Sequence, residues 1–143
     1  MKLQDAITFA TEHPVCFLAT AEGDQPHVRG WLFWFADETG FYFQTLEPKD
    51  VHHQLRANPK VEVCFYNGGD LTSARTLRVT GSVEFLDDAQ LRHRLVEQDM
   101  PFLAAAGGAD DPIHQIFRVT HGEAFIWGMA DMLKEHELER ATF

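Results

Sequence analysis

The chain has 143 residues, 45% of them apolar, which is enough for one domain with a real core, spanning 1–143. Its net charge of -10 repels phosphate backbones and anionic bilayers, which argues against a nucleic-acid or membrane-surface partner. A small anionic ligand stays open, because a few local cations decide that.

Twelve Phe and three Trp stand against two Tyr, so the aromatic surface is mostly of the kind that is buried. Cys16 and Cys64 form no CxxC and lie in apolar runs, where buried free thiols are expected. No apolar run approaches the ~20 residues of a spanning helix, and no basic segment leads into an apolar stretch at the start. The expected compartment is therefore the reducing cytoplasm.

Residues 3–12 place Leu3, Ala6, Ile7 and Ala10 on one helical face, and His13-Pro14 ends that helix. Residues 15–20 predict a buried strand, 22–24 a turn, 27–35 a second strand, and 41–45 a third after the turn at 37–40. Pro48 opens a short helix with Val51 and Leu55 as its buried stripe, and Asn58-Pro59 closes it. Residues 61–67 alternate, with Val61, Val63 and Phe65 on one face. Residues 74–85 are the longest strand, with Leu77, Val79, Val83 and Phe85 facing one way and Arg78, Thr80, Ser82 and Glu84 the other. Asp87 caps a helix carrying Leu91 and Leu95. After an irregular stretch at 107–112 come strands at 113–120 and 123–127, joined at His121-Gly122, then a charged tail. About six or seven strands with short turns and three short helices predict a closed antiparallel barrel or sandwich.

Dinucleotide, P-loop, nucleophile-elbow and zincin motifs are absent. No metal site is expected. His52 and His53 diverge by about 100° on a helix, and Glu135, His136 and Glu137 read as a charged tail.

The chemistry concentrates in a few cations. Arg29 sits in an apolar strand, where a charge is costly unless it meets a carboxylate of the chain or an anion from outside. Thr45 ends a strand, and Lys49 lies in the first turn of the next helix. A helix N-terminus suits a phosphate, whereas a lysine there opposes the dipole unless an anion is near. Arg78 projects from the polar face of the long strand with Thr76. His27 and His114 are candidate proton donors, and Trp31, Trp34 and Trp127 are candidates to stack on a ring.

The ordered stretches Phe17-Leu-Ala-Thr20, Gln25-Pro-His-Val-Arg-Gly30, Gly40-Phe-Tyr-Phe-Gln-Thr45, Lys49-Asp-Val-His-His-Gln-Leu-Arg-Ala-Asn-Pro59, Leu77-Arg-Val-Thr-Gly81 and Gly122-Glu-Ala-Phe-Ile126 cover nearly the whole chain. Together they resemble the FMN-binding split barrels related to pyridoxamine 5'-phosphate oxidase. The resemblance implies a mainly β fold with short helices, a six-stranded antiparallel split β-barrel, and a homodimer whose second subunit completes the FMN pocket. It implies that Arg29 and Lys49 hold the FMN phosphate and that Gly30, Trp31 and Leu32 run along the ring edge. Phe43, Gln44 and Thr45 would contact the flavin, with Thr76 and Arg78 nearby. The tail at 134–143 lacks the arginine- and histidine-containing motif of the oxidase proper. The implied function is thus an FMN-binding oxidoreductase, related to that oxidase but distinct from it, acting on a small molecule such as a quinone, a nitro compound or a pyridoxal-like ring. Alternatives are a non-catalytic FMN-binding electron carrier or redox sensor, or a split barrel that binds haem or a deazaflavin.

Overall fold

A computed structural model describes all 143 residues. Helix α1 (Leu3–Glu12) leads into β1 (Val15–Glu22), β2 (Gln25–Leu32), β3 (Phe35–Asp37) and β4 (Gly40–Leu46). Helix α2 (Asp50–Ala57) precedes β5 (Lys60–Tyr66) and β6 (Arg75–Leu86). A short helix α3 (Ala89–His93), a π turn (Arg94–Asp99) and a 3-10 turn (Pro101–Ala105) lead to β7 (His114–Gly128), and β8 (Ala141–Thr142) closes the chain. No helix is long and apolar enough to cross a membrane.

All pairings are antiparallel, in the order β2-β1-β5-β6-β7-β4-β3, with β8 added to β7. The predicted mainly β, antiparallel class holds, with eight strands instead of six. The extra strands have local causes. The expected strand at 27–35 breaks after Leu32, because Phe33 turns into the core and Trp34 into a second cluster, so β2 and β3 are separate. β8 is the predicted shapeless tail, tied by paired Gly122–Phe143 backbone bonds.

The predicted strands at 113–120 and 123–127 are one continuous β7. Its register against β6 shifts between Thr80 and Ser82, where Gly81 faces the His121-Gly122 pair. His121 takes a positive φ of 53°, and a Cβ on Gly122 would run into the Thr80 carbonyl. This β-bulge adds one residue and flips the strand's parity. Phe117 and Val119 enter the core before it, Ala124 and Ile126 after it. The joint read from the sequence is therefore a bulge that bends one strand around the barrel.

The main core fills the barrel, with Phe33, Phe41, Phe43, Phe65 and Phe117 at its centre. Ala6, Phe9 and Ala10 of α1 and Val51 and Leu55 of α2 pack onto it. A smaller cluster outside the barrel joins Leu95, Val96, Met100, Leu103 and Ala109 to Ile116 of β7, with Trp34 against it. The cap of α3 is Asp88, not Asp87: its carboxylate accepts from the Leu91 N–H. Likewise Lys49 is the N-cap of α2, and Pro48 lies outside the helix.

Candidate functional site

Strands β2 and β4 stand at the split of the barrel. They share no ladder, but the Trp31 indole N–H donates to the Gln44 carbonyl at 3.1 Å and ties them together. Over this junction runs a groove of about 260 Å³ between Gly30, Trp31 and Leu32 on one side and Gln44, Thr45 and Leu46 on the other. Lys49 stands at one end, and Phe102 and Leu103 of the 3-10 turn form the outer wall. A second chamber of about 580 Å³ adjoins it, with Arg29, Gly30, Lys49 and the start of α2 in its wall. Gly30 and Lys49 line both chambers.

Arg29 has no carboxylate partner. Its guanidinium donates to the Leu18 carbonyl at 3.1 Å, to Thr20 Oγ1 at 3.0 Å and to Gln54 Oε1 at 2.6 Å. The Thr20 hydroxyl also donates to Gln54 Oε1 at 2.7 Å, so three polar groups fix the arginine without neutralising it. Burial lowers its pKa, yet a guanidinium stays cationic at neutral pH. Lys49 forms no ion pair; its ammonium stands 5.4 Å from the centre of the Trp31 ring. The two cations thus line one chamber without an ion pair between either of them and a carboxylate. Asp50, the one acidic group in that wall, belongs to the first turn of α2, where it favours the helix dipole.

Two residues of the groove lining have unused hydrogen-bonding capacity. Gln44 Oε1 and Thr45 Oγ1 are buried and have no partner. Leaving such atoms unpaired costs about 1–3 kcal/mol each unless a ligand meets them. Gly30 has no steric need to be glycine, since a Cβ would meet nothing closer than 4.0 Å. Its bare backbone lies where the two chambers join.

Seven of the residues named from sequence therefore line one continuous groove: Arg29, Gly30, Trp31, Leu32, Gln44, Thr45 and Lys49. Phe43 does not: its side chain is fully buried and stacks on Phe117, because it shares the inward parity of Phe41. Thr76 and Arg78 lie on β6, the middle strand of the sheet order, between β5 and β7 and paired with neither β2 nor β4. There Arg78 is paired to Glu62 and Glu135 and lies over the Phe125 ring. Trp34 donates to Asp99 at the second cluster, and Trp127 lies opposite Thr76 with its indole N–H unpartnered. His27 lines the cationic chamber, while His114 is buried elsewhere. Sequence reading missed Gln54, Thr20 and Phe102. The first two hold Arg29, which no local pattern reveals, and Gln54 also lines the cationic chamber; Phe102 arrives from a segment about fifty residues further on.

The thiols are not reactive centres. Burial pushes the Cys16 thiol up to about 12 and raises that of Cys64, and neither is bonded to the other.

Outside the barrel, Val15, Phe17, Val28 and Leu32 are all exposed. The register pairs Val15 with Leu32 and sets Phe17 beside Gly30, so these side chains share the outer face of β1 and β2 next to the groove.

The pyridoxamine 5'-phosphate oxidase family matches residues 3–128. Among solved structures, a NimC/NimA family protein from Clostridium acetobutylicum is 30% identical, covering 96% of this chain and 90% of its own, with a TM-score of 0.77. An FAD-binding protein from Mesorhizobium loti is 21% identical over 87% of this chain and 92% of its own, at a TM-score of 0.64. HutZ, the haem storage protein of Vibrio cholerae, is 17% identical over 83% and 89%, also at 0.64. No curated protein matches the sequence. With the barrel, its split and the family match in agreement, the chain belongs to the pyridoxamine 5'-phosphate oxidase family.

Proposed function

We propose that the protein is a flavoprotein that binds FMN in the split groove of a homodimer and acts as an oxidoreductase on a small molecule. The observation that carries this reading is the groove with its adjoining chamber. Two cations without carboxylate partners and two residues with unpartnered buried polar atoms line them. Arg29 and Lys49 would hold one phosphate. The β2 backbone at Gly30, Trp31 and Leu32 and the β4 end at Gln44 and Thr45 would flank the ring. One phosphate-sized cation pair and no dinucleotide fingerprint favour FMN over FAD, although one structural neighbour is described as FAD-binding.

Bound there, the flavin would supply the electron transfer. The chain's part is placement. Gln54 and Thr20 lock the guanidinium of Arg29, the Trp31–Gln44 bond holds the two walls together, and Phe102 and Leu103 exclude water from one side. His27, 3.4 Å from Glu22, is the one imidazole in the wall of the cationic chamber.

The exposed apolar face of β1 and β2 supports the homodimer, since such a face beside a pocket favours a second copy as its cover. Thr76 and Arg78 would enter the pocket only from that second copy. The interface should exceed ~1,000 Å² in total. Two unpaired cysteines suit a reducing cytoplasm.

A haem reading draws on the haem-storing neighbour. The ring groove of one protomer, however, holds no His, Cys, Met or Tyr to ligate the iron. The catalytic claim is tested by adding NADH or NADPH to the FMN-loaded protein with a quinone or a nitro compound as acceptor. Turnover above that of free FMN is expected. A rate equal to free FMN would mean that the protein only carries or senses electrons.

A further inference from the structure

A separate cavity of about 350 Å³ lies at the C-terminal end of α2, where the helix meets the end of β6, α3 and the start of β7. It shares no lining residue with either chamber of the flavin groove. Two arginines line it from different elements, Arg56 of α2 and Arg92 of α3, against one carboxylate, Asp87.

Neither arginine is fully used. Arg56 forms no ion pair. It lies flat on the Phe85 ring at 3.8 Å and donates to His52 Nε2 at 3.2 Å and Gln115 Oε1 at 3.1 Å, all neutral partners. Arg92 gives one N–H to Asp87 at 2.7 Å, but that carboxylate is 95% exposed, so water screens the pair. The Nε of Arg92 is buried and has no acceptor. His114, only 2% exposed, also lines the cavity. Its Nε2 lies 2.7 Å from the Gly107 carbonyl, an acceptor, so that nitrogen carries the proton. Nδ1 then holds a lone pair in the neutral ring, and it too is buried without a partner.

We propose that this cavity is a second ligand site, for an oxyanion that also carries a proton: hydrogen phosphate. Arg56 and Arg92 supply donors for its oxygens, and His114 Nδ1 accepts from its P–OH. Sulfate, fully ionised at neutral pH, offers the arginines the same oxygens but has nothing to donate to His114. The two ions therefore separate a specific site from a general cationic patch. The proposal is independent of the flavin reading, because the residues and the cavity are different.

The test is a calorimetric titration of the protein as purified with inorganic phosphate and with sulfate, repeated on Arg56→Gln and Arg92→Gln. Phosphate should bind at least about tenfold more tightly than sulfate, and each variant should weaken it about tenfold. Arg29→Ala and Lys49→Ala should leave phosphate at this cavity unchanged. Should Arg56→Gln fail to fold, the long-range proton–nitrogen spectrum of the unaltered protein serves instead. In it the His114 Nδ1 resonance should move on addition of phosphate and stay in place with sulfate. Equal binding of the two anions, phosphate binding lost only in the Arg29 and Lys49 variants, or a His114 resonance indifferent to phosphate would each overturn the proposal.

Discussion

Arg29 and Arg78 are both part-buried arginines on strands of one barrel, yet they are held by opposite chemistry. Arg78 meets Glu62 and Glu135 and lies over Phe125, so its charge is answered within the chain. Arg29 meets a carbonyl, a hydroxyl and an amide, so its charge is positioned but unanswered. The acidic surplus of the sequence makes the second arrangement the informative one: carboxylates are plentiful, and none is placed at Arg29. A cation that the fold orients but does not neutralise is prepared for an anion from outside, and Lys49 beside the same chamber repeats the pattern.

That contrast can be broken by mutation. Removing the two cations of this chamber in Arg29→Ala/Lys49→Ala should have the largest effect, a loss of about 100-fold in FMN affinity by fluorescence titration, from two charge-assisted contacts of roughly 1.5–3 kcal/mol each, less some coupling. Next is the cover of the groove. Phe17→Asp puts a charge on the exposed apolar face beside Gly30 and should raise the dimer dissociation constant at least about tenfold, seen by light scattering. A protein that is monomeric from the start and still holds FMN tightly would contradict both the dimer and the shared pocket. Arg29→Ala and Lys49→Ala singly should each cost about tenfold in FMN affinity with the fold intact. Arg78→Ala should have the smallest effect. A partly exposed ion pair is worth ~0–1 kcal/mol, so stability by denaturant titration and FMN affinity should both change little. If Arg78→Ala weakened FMN as much as Arg29→Ala, the pairing with Glu62 and Glu135 would not describe its role.

The barrel was legible in the sequence because alternation does the work of placing side chains. Val61, Val63 and Phe65, and Leu77, Val79 and Val83, are buried as their period demands. The same rule, applied to Phe41, Phe43 and Thr45, would have turned Phe43 inward; it was named with the site only by resemblance. Two features defeat the rule. At His121-Gly122 the bulge reverses parity within one strand, which from sequence looks like the end of one strand and the start of another. At Phe33-Trp34 two adjacent aromatics serve two different clusters, and nothing local distinguishes that from a strand with two apolar faces.

The cations of the site were legible for a different reason. Arg29 in an apolar strand and Lys49 at a helix start are each unfavourable alone, and such local costs flag a ligand. The groups that hold Arg29 in place were not legible. Gln54 and Thr20 are ordinary polar residues, and their role exists only once α2 crosses the ends of β1 and β2. The wall at Phe102 is likewise tertiary, set by the packing of Leu103 into the second cluster.

The central claim is that the orphaned charges and polar atoms of one groove belong to FMN. It is tested most directly by the visible spectrum of the purified protein, followed by the mass of whatever acid denaturation releases. The account predicts flavin absorption bands, the mass of FMN, and rebinding of FMN by the stripped protein. Release of FAD or haem, or a stripped protein that saturating FMN leaves unbound, would contradict it.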